Sequence, residues 1–121
     1  MCLRLVGSEM CIRDRFHATE LATCAQYQVP LIICVFNDSG YGVLRYLQQS
    51  RFGRINETDL GKVAFAQMAE SMGVPGERVD SVEAFADAMD RALAAQGPYL
   101  IDVDMEHFAP MEISVMPKKQ A

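Results

Sequence analysis

Leu31-Ile32-Ile33-Cys34-Val35-Phe36-Asn37-Asp38-Ser39-Gly40-Tyr41-Gly42-Val43-Leu44-Arg45 is the stretch whose reading decides the fold. Its first six residues are all apolar, with no polar alternation. A run so short and so uniform predicts a strand buried on both faces, as in parallel sheets. Polar residues and two glycines follow, then a new amphipathic segment. That order is expected where a buried parallel strand delivers a ligand loop at its carboxyl end. Asn37 and Asp38 bring side-chain oxygens. Gly40 and Gly42 permit backbone conformations, and a close ligand approach, that a Cβ would block. This chemistry suits a metal and a phosphate. Asn-Asp-Ser-Gly is equally the composition of an ordinary strand-to-helix turn, so the pattern alone leaves both readings open.

Upstream, Leu21, Cys24, Ala25 and Gln28 recur at helical spacing, and Ala18 and Ala22 add helix propensity. Thr19 suits the first turn, Glu20 suits the positive helix end, and Pro30 stops the helix. The prediction is a helix over 18–28 and a strand over 31–36. Downstream, Val43, Leu44, Tyr46 and Leu47 predict a helix over 42–50. Residues 48–56 are polar, carry Arg51, Gly53 and Arg54, and read as a surface loop. A helix starting at Thr58 or Asp59 follows, with Leu60, Val63, Ala64, Met68, Ala69 and Met72 as its apolar stripe and Gly73 as its stop. A brief strand is expected around Arg78 and Val79. Asp80-Ser81-Val82-Glu83 resembles a capping box opening a helix through Phe85, Ala86, Met89, Ala92 and Leu93 to near Gly97. Residues 98–103 form the second clear strand. Alternation of this kind implies right-handed crossovers: an α/β three-layer sandwich around a mainly parallel sheet. No strand precedes the first helix, so the sheet is expected to lack its leading strand.

The 121 residues suffice for one domain, and 50% of them are apolar, which predicts a globular core. The net charge of −5 argues against a nucleic-acid surface. No apolar run approaches the ~20 residues of a membrane span. Cys2, Cys11, Cys24 and Cys34 show no CxxC pairing and no zinc spacing with His17 or His107, so reduced, partly buried thiols in a cytoplasmic protein are expected. Residues 1–15 have neither helical nor strand periodicity and do not form a signal peptide. They resemble translated sequencing-adapter read-through, and we read them as non-native, with the real gene continuing upstream. Finding this tract encoded at the genomic locus would overturn that reading. Residues 106–121, with Pro110, Pro117 and the closing Lys118-Lys119-Gln120-Ala121, read as a C-terminal tail.

Glu20-Leu21-Ala22-Thr23, Gln26-Tyr27, Pro30, the apolar strand, then Asn37-Asp38-Ser39-Gly40-Tyr41-Gly42 and Arg45 together carry a family signature. The block resembles the cofactor-binding domain of thiamine-diphosphate-dependent enzymes, in the branch of acetolactate synthase, benzoylformate decarboxylase and benzaldehyde lyase. Gly97-Pro98-Tyr99-Leu100-Ile101-Asp102-Val103 is similar to that family's last strand. The resemblance covers residues 16–105, read as a partial cofactor domain. The family motif opens with Gly-Asp-Gly and closes with a pair that is usually Asn-Asn. The closing half stands here as Asn37-Asp38. Counting back from Glu20, the opening should fall at Met10, Cys11 and Ile12, and it is absent.

The resemblance implies thiamine diphosphate held through Mg²⁺, a hard ion wanting about six oxygens. It makes Asp38 a side-chain ligand and Gly40 a carbonyl ligand. Asn37 fixes the loop, Ser39 and Tyr41 contact the diphosphate or pack beside it, and Val43 and Leu44 lie near the thiazolium. Leu44 stands where pyruvate decarboxylase relatives carry glutamate, which favours a synthase or aryl-2-oxo-acid type, unless Leu44 simply packs in the core. The parent enzyme would be a decarboxylase or carboligase (lyase or transferase) acting on a 2-oxo acid. Pyrimidine-binding and middle domains would complete it in a homodimer or homotetramer, and the fragment alone would be inactive. The alternative is a non-enzymatic α/β module using the same loop for a nucleotide or a protein. Weaker candidates are His17 near the diphosphate, Arg45 as an ion-pair partner, and Arg51 and Arg54 toward an anionic substrate or a subunit. His107 and Met111 could lie over a subunit interface. Met68, Met72 and Met89 read as core.

Overall fold

The computed structural model describes residues 18–106 and the backbone of Val6–Gly7. The elements in chain order are β1 (Val6–Gly7), α1 (Glu20–Gln26), β2 (Ile32–Asn37), α2 (Gly42–Phe52), α3 (Phe65–Ser71), β3 (Gly76–Val79), α4 (Val82–Ala94) and β4 (Tyr99–Asp104). The strands make one sheet in the order β1-β2-β4-β3, with every neighbouring pair parallel. β2 and β4 run in register from Ile32↔Tyr99 to Asn37↔Asp104. At the edge where the sequence shows no leading strand, the described residues supply a two-residue pairing, Val6 with Ile33 and Gly7 with Cys34.

The unalternating run of β2 is explained by two cores, one on each face. Ile32 and Cys34 pack with Val79, Ile101, Val103 and the α4 residues Ala88 and Ala92. Val35 points the other way, into a cluster of Leu21, Phe65, Ala69, Val74 and Leu100. Helices therefore cover both faces, the α/β three-layer arrangement the alternation predicts. Met68 and Met72 pack against one core and Met89 against the other. Gly76 lets β3 approach α3 closely: a Cβ there would lie 2.8 Å from the Ala66 carbonyl oxygen. Among the described residues no helix is long and apolar enough to cross a membrane.

Several boundaries differ from the sequence expectation. The largest difference is α3, which begins at Phe65 and not at Thr58 or Asp59. The intervening backbone is engaged elsewhere. Tyr41 N–H donates to the Thr58 carbonyl at 2.8 Å and Leu60 N–H to the Ser39 carbonyl at 2.9 Å, around an antiparallel bridge between Gly40 and Asp59. Groups committed to that pairing cannot serve a helix. α2 runs on to Phe52, where Gly53 ends it in the left-handed region, so the loop expected from residue 48 starts later. The α4 cap is Ser81 and not Asp80: the Ser81 hydroxyl accepts from Ala84 N–H at 3.2 Å, and the helix stops at Ala94. β2 and β4 each end one residue later than predicted, because the ladder continues through Asn37 and Asp104, and Met105 N–H then donates to the Asn37 carbonyl.

Candidate functional site

The loop 37–42 leaves the carboxyl end of β2, where open α/β sheets bind ligands. Two hydrogen bonds shape it. The Asn37 Oδ1 accepts from Ser39 N–H, and the Asp38 Oδ1 accepts from Gly40 N–H, each at 3.2 Å. These successive side-chain turns hold Ser39 at φ +54°. The strand pairing with Thr58 and Leu60 then pins the loop from the far side. The Gly40 carbonyl is not among those bonds. A Cβ at Gly40 would lie 2.8 Å from the Thr58 carbonyl oxygen, so this close approach needs glycine. A Cβ at Gly42 would collide with the Asp38 carboxylate, which therefore lies over the first residue of α2.

Asn37 is buried and its amide is fully engaged. Its Nδ2 donates to the Val63 carbonyl at 3.0 Å and to the Asp102 Oδ1 at 3.2 Å. Asp102 is 0% exposed, and its other oxygen accepts from Phe65 N–H, at the first residue of α3, at 3.2 Å. Burial pushes the Asp102 carboxyl up, against the pull of Asn37, of Arg78 and of the Phe65 and Ala66 N–H groups. Beside it on β4, the buried Asp104 pairs with Arg78 at 2.7 Å and accepts from Glu106 N–H. The sequence reading missed Asp102 and Asp104. The available signal was two acids in an otherwise apolar run, since buried carboxylates need partners.

Val43 and Leu44 are 42% and 49% exposed, and α2 has no buried residue. Leu44 therefore does not pack in the core; it projects from the helix that follows the loop. Tyr41 is half-buried beside them. Arg45 finds the acid expected on a neighbouring segment, Asp59, at 2.5 Å. Thr58 is buried, at 2% exposure, and its hydroxyl has no hydrogen-bond partner among the described residues. Arg54 lines a cavity of about 220 Å³ with Gln48, Phe52 and Asn56, apart from the loop residues, and Arg51 is exposed. Cys24 and Cys34 are free thiols, and burial pushes that of Cys34 up. The positions Met10, Cys11 and Ile12, and also Cys2, His17, His107 and Met111, lie outside the described residues.

Among the described residues no three His, Cys, Asp or Glu side chains converge on one metal-sized space. The loop offers the Asp38 carboxylate and the Gly40 backbone carbonyl, which the strand pairing leaves out. Both are hard oxygen donors of the kind Mg²⁺ takes, and they would fill part of its shell.

Comparison with known proteins identifies the family of this fold. Residues 15–103 match the family described as thiamine pyrophosphate enzyme, C-terminal TPP binding domain. The chain is 34% identical over 92 residues to an acetolactate synthase of Bacillus subtilis (strain 168), covering 76% of this chain and 16% of that protein. It is 33% identical over 87 residues to the acetolactate synthase large subunit of Cyanidium caldarium, covering 69% of this chain and 15% of the relative. Among solved structures, the thiamine diphosphate-dependent 4-hydroxybenzoylformate decarboxylase of Rhodococcus jostii RHA1 superposes with a TM-score of 0.70 at 34% identity, covering 83% of this chain and 19% of that one. The chain thus spans under a fifth of these relatives' length. With the parallel sheet, the loop at its carboxyl edge and the match over 15–103 in agreement, the chain belongs to the thiamine pyrophosphate enzymes, as their C-terminal TPP-binding domain.

Proposed function

We propose that the chain supplies half of the diphosphate and Mg²⁺ site of a thiamine-diphosphate-dependent 2-oxo acid decarboxylase or carboligase, of acetolactate synthase or benzoylformate decarboxylase type. The observation that carries this is the loop itself: a pinned turn at the carboxyl end of β2 in which the Asp38 carboxylate accepts from Gly40 N–H and lies over the start of α2. Asp38 and Gly40 would hold two of the roughly six positions around Mg²⁺. The diphosphate, a water and the aspartate of the family's Gly-Asp-Gly, absent from this sequence and supplied by the parent enzyme, would fill the rest. Asn37 keeps the loop in shape, Ser39 and Tyr41 lie beside the diphosphate, and the N-terminus of α2 favours that anion. Val43 and Leu44 offer an apolar wall to the thiazolium.

When bound, thiamine diphosphate supplies the electron sink for loss of CO₂. This chain's own residues bind and orient its phosphate end. The pyrimidine-binding and middle domains of a cytoplasmic homodimer or homotetramer would complete the pocket for the 2-oxo acid. That the relatives are enzymes favours this reading over a non-enzymatic module. The test is calorimetry of the full-length parent with thiamine diphosphate and Mg²⁺. Asp38→Ala should weaken cofactor binding by more than about tenfold, the scale of a lost charged ligand. Unchanged affinity would refute Asp38 as a ligand.

A further inference from the structure

We infer that Asp102 is a positioning residue for the cofactor loop: its buried carboxylate sets which way the Asn37 amide faces, and through Asn37 it places Asp38 and Gly40. The inference rests on the reading of this loop as the cofactor site.

An ionised carboxylate accepts hydrogen bonds at both oxygens and donates at neither. Asp102 uses both. Oδ1 takes the Asn37 Nδ2–H, and Oδ2 takes the Phe65 N–H at the start of α3. The Asn37 amide has two faces that could exchange by a flip. The Asp102 oxygen and the Val63 carbonyl, both acceptors, select the orientation in which Nδ2 points toward them. Oδ1 is then left facing Ser39 N–H, which closes the first turn of the loop. The second turn, Asp38 to Gly40 N–H, follows directly. One carboxylate on β4 therefore joins the start of α3 to the first residue of the loop, across 65 positions of sequence.

An asparagine at position 102 has nearly the same shape but cannot make both contacts. With its oxygen toward Phe65 N–H, its NH₂ meets the Asn37 NH₂. If Asn37 flips to accept from it, the flipped NH₂ faces Ser39 N–H and the flipped oxygen faces the Val63 carbonyl. Each arrangement sets donor against donor, and buried polar groups left unmatched in this way are costly.

Two measurements test the inference. The first is amide hydrogen exchange, residue by residue, in the 121-residue chain. Asp102→Asn should speed exchange at Ser39, Gly40 and Leu60 by roughly ten- to hundredfold, while Cys34 and Ile101 in the sheet keep their rates. Equal acceleration at loop and sheet would mean that Asp102 only supports the fold, and unchanged loop amides would remove the link altogether. The second is a double-mutant cycle on thiamine diphosphate affinity, at fixed Mg²⁺, in the full-length parent. Asp102→Asn should weaken binding by roughly tenfold alone and by less than about twofold when added to Asn37→Ala, because it acts through that amide. Fully additive effects would overturn the inference. Should Asp102→Asn fail to fold, Asn37→Ala alone decides: unchanged cofactor affinity and unchanged exchange at Ser39 would overturn it. An Asp38→Ala variant with wild-type affinity would instead sink the cofactor reading, leaving the exchange result on the loop to stand by itself.

Discussion

A methyl group at position 42 would collide with the carboxylate of Asp38. This makes Gly42→Ala a sharp test of the loop at the scale of one residue. Alanine is a better helix former than glycine, so the start of α2 should lose no stability. The carboxylate must move, and in the full-length parent thiamine diphosphate affinity should fall by about tenfold with the melting temperature nearly unchanged. Titration calorimetry beside a thermal melt separates the two effects. Gly42, Asn37, Asp38 and Gly40 were all legible in the sequence, because turn chemistry is local. Asp102 was not. Its meaning lies in Asn37 and Phe65, distant in sequence and brought to it by the β2–β4 pairing and the packing of α3. Leu44 was ambiguous for a related reason: an apolar residue in an amphipathic segment looks the same whether the core or a neighbour covers it, and α2 buries none of its residues here.

At the scale of elements, β3 is held by two contrasting contacts. On one side Gly76 lies against the α3 backbone at Ala66. Backbone cannot yield as a side-chain end can, so Gly76→Ala should destabilise the chain by about 1–3 kcal/mol, read from urea unfolding. Toward α4, the Arg91 guanidinium holds Glu77 through two bonds of 3.0 and 2.7 Å, and the Tyr99 hydroxyl adds a third at 2.8 Å. The Arg91 bonds, helped by Tyr99 and opposed by partial burial, keep the Glu77 carboxyl below its usual range. Its contribution is therefore present above the unfolded-state value of about 4.3 and is lost as pH falls through the lower folded value. Glu77→Gln should flatten the acid limb of the stability profile below roughly pH 4 and leave its shape above that unchanged. The boundary of α3 shows how far periodicity reaches. Leu60 and Val63 continue the stripe of Met68 and Met72, yet the chain before Phe65 pairs with the loop after β2. Tertiary hydrogen bonds outweighed a pattern that favoured helix.

At the scale of the whole molecule, the chain is under a fifth of the length of the relatives it matches. Val43, Leu44 and Tyr46 stand half exposed on α2, and Phe52 is 72% exposed at its end. In the proposed enzyme these surfaces would meet the cofactor and the other domains. The purified 121-residue chain should accordingly show no decarboxylation of pyruvate or benzoylformate in a coupled assay with thiamine diphosphate and Mg²⁺. Detectable turnover would contradict the half-site reading.

The sequence by itself determined the strand–loop–helix order, the parallel α/β class and the turn chemistry of the loop at the carboxyl end of β2. Each of these follows from local patterns: an apolar run, turn residues and helical spacing. Only the tertiary structure decided that residues 58–64 pin the loop, that α2 stays outside the core, and that a buried acid on β4 orients Asn37. Those depend on backbone and side-chain hydrogen bonds between segments far apart in sequence, whose partners are selected only once the sheet and its helices have packed.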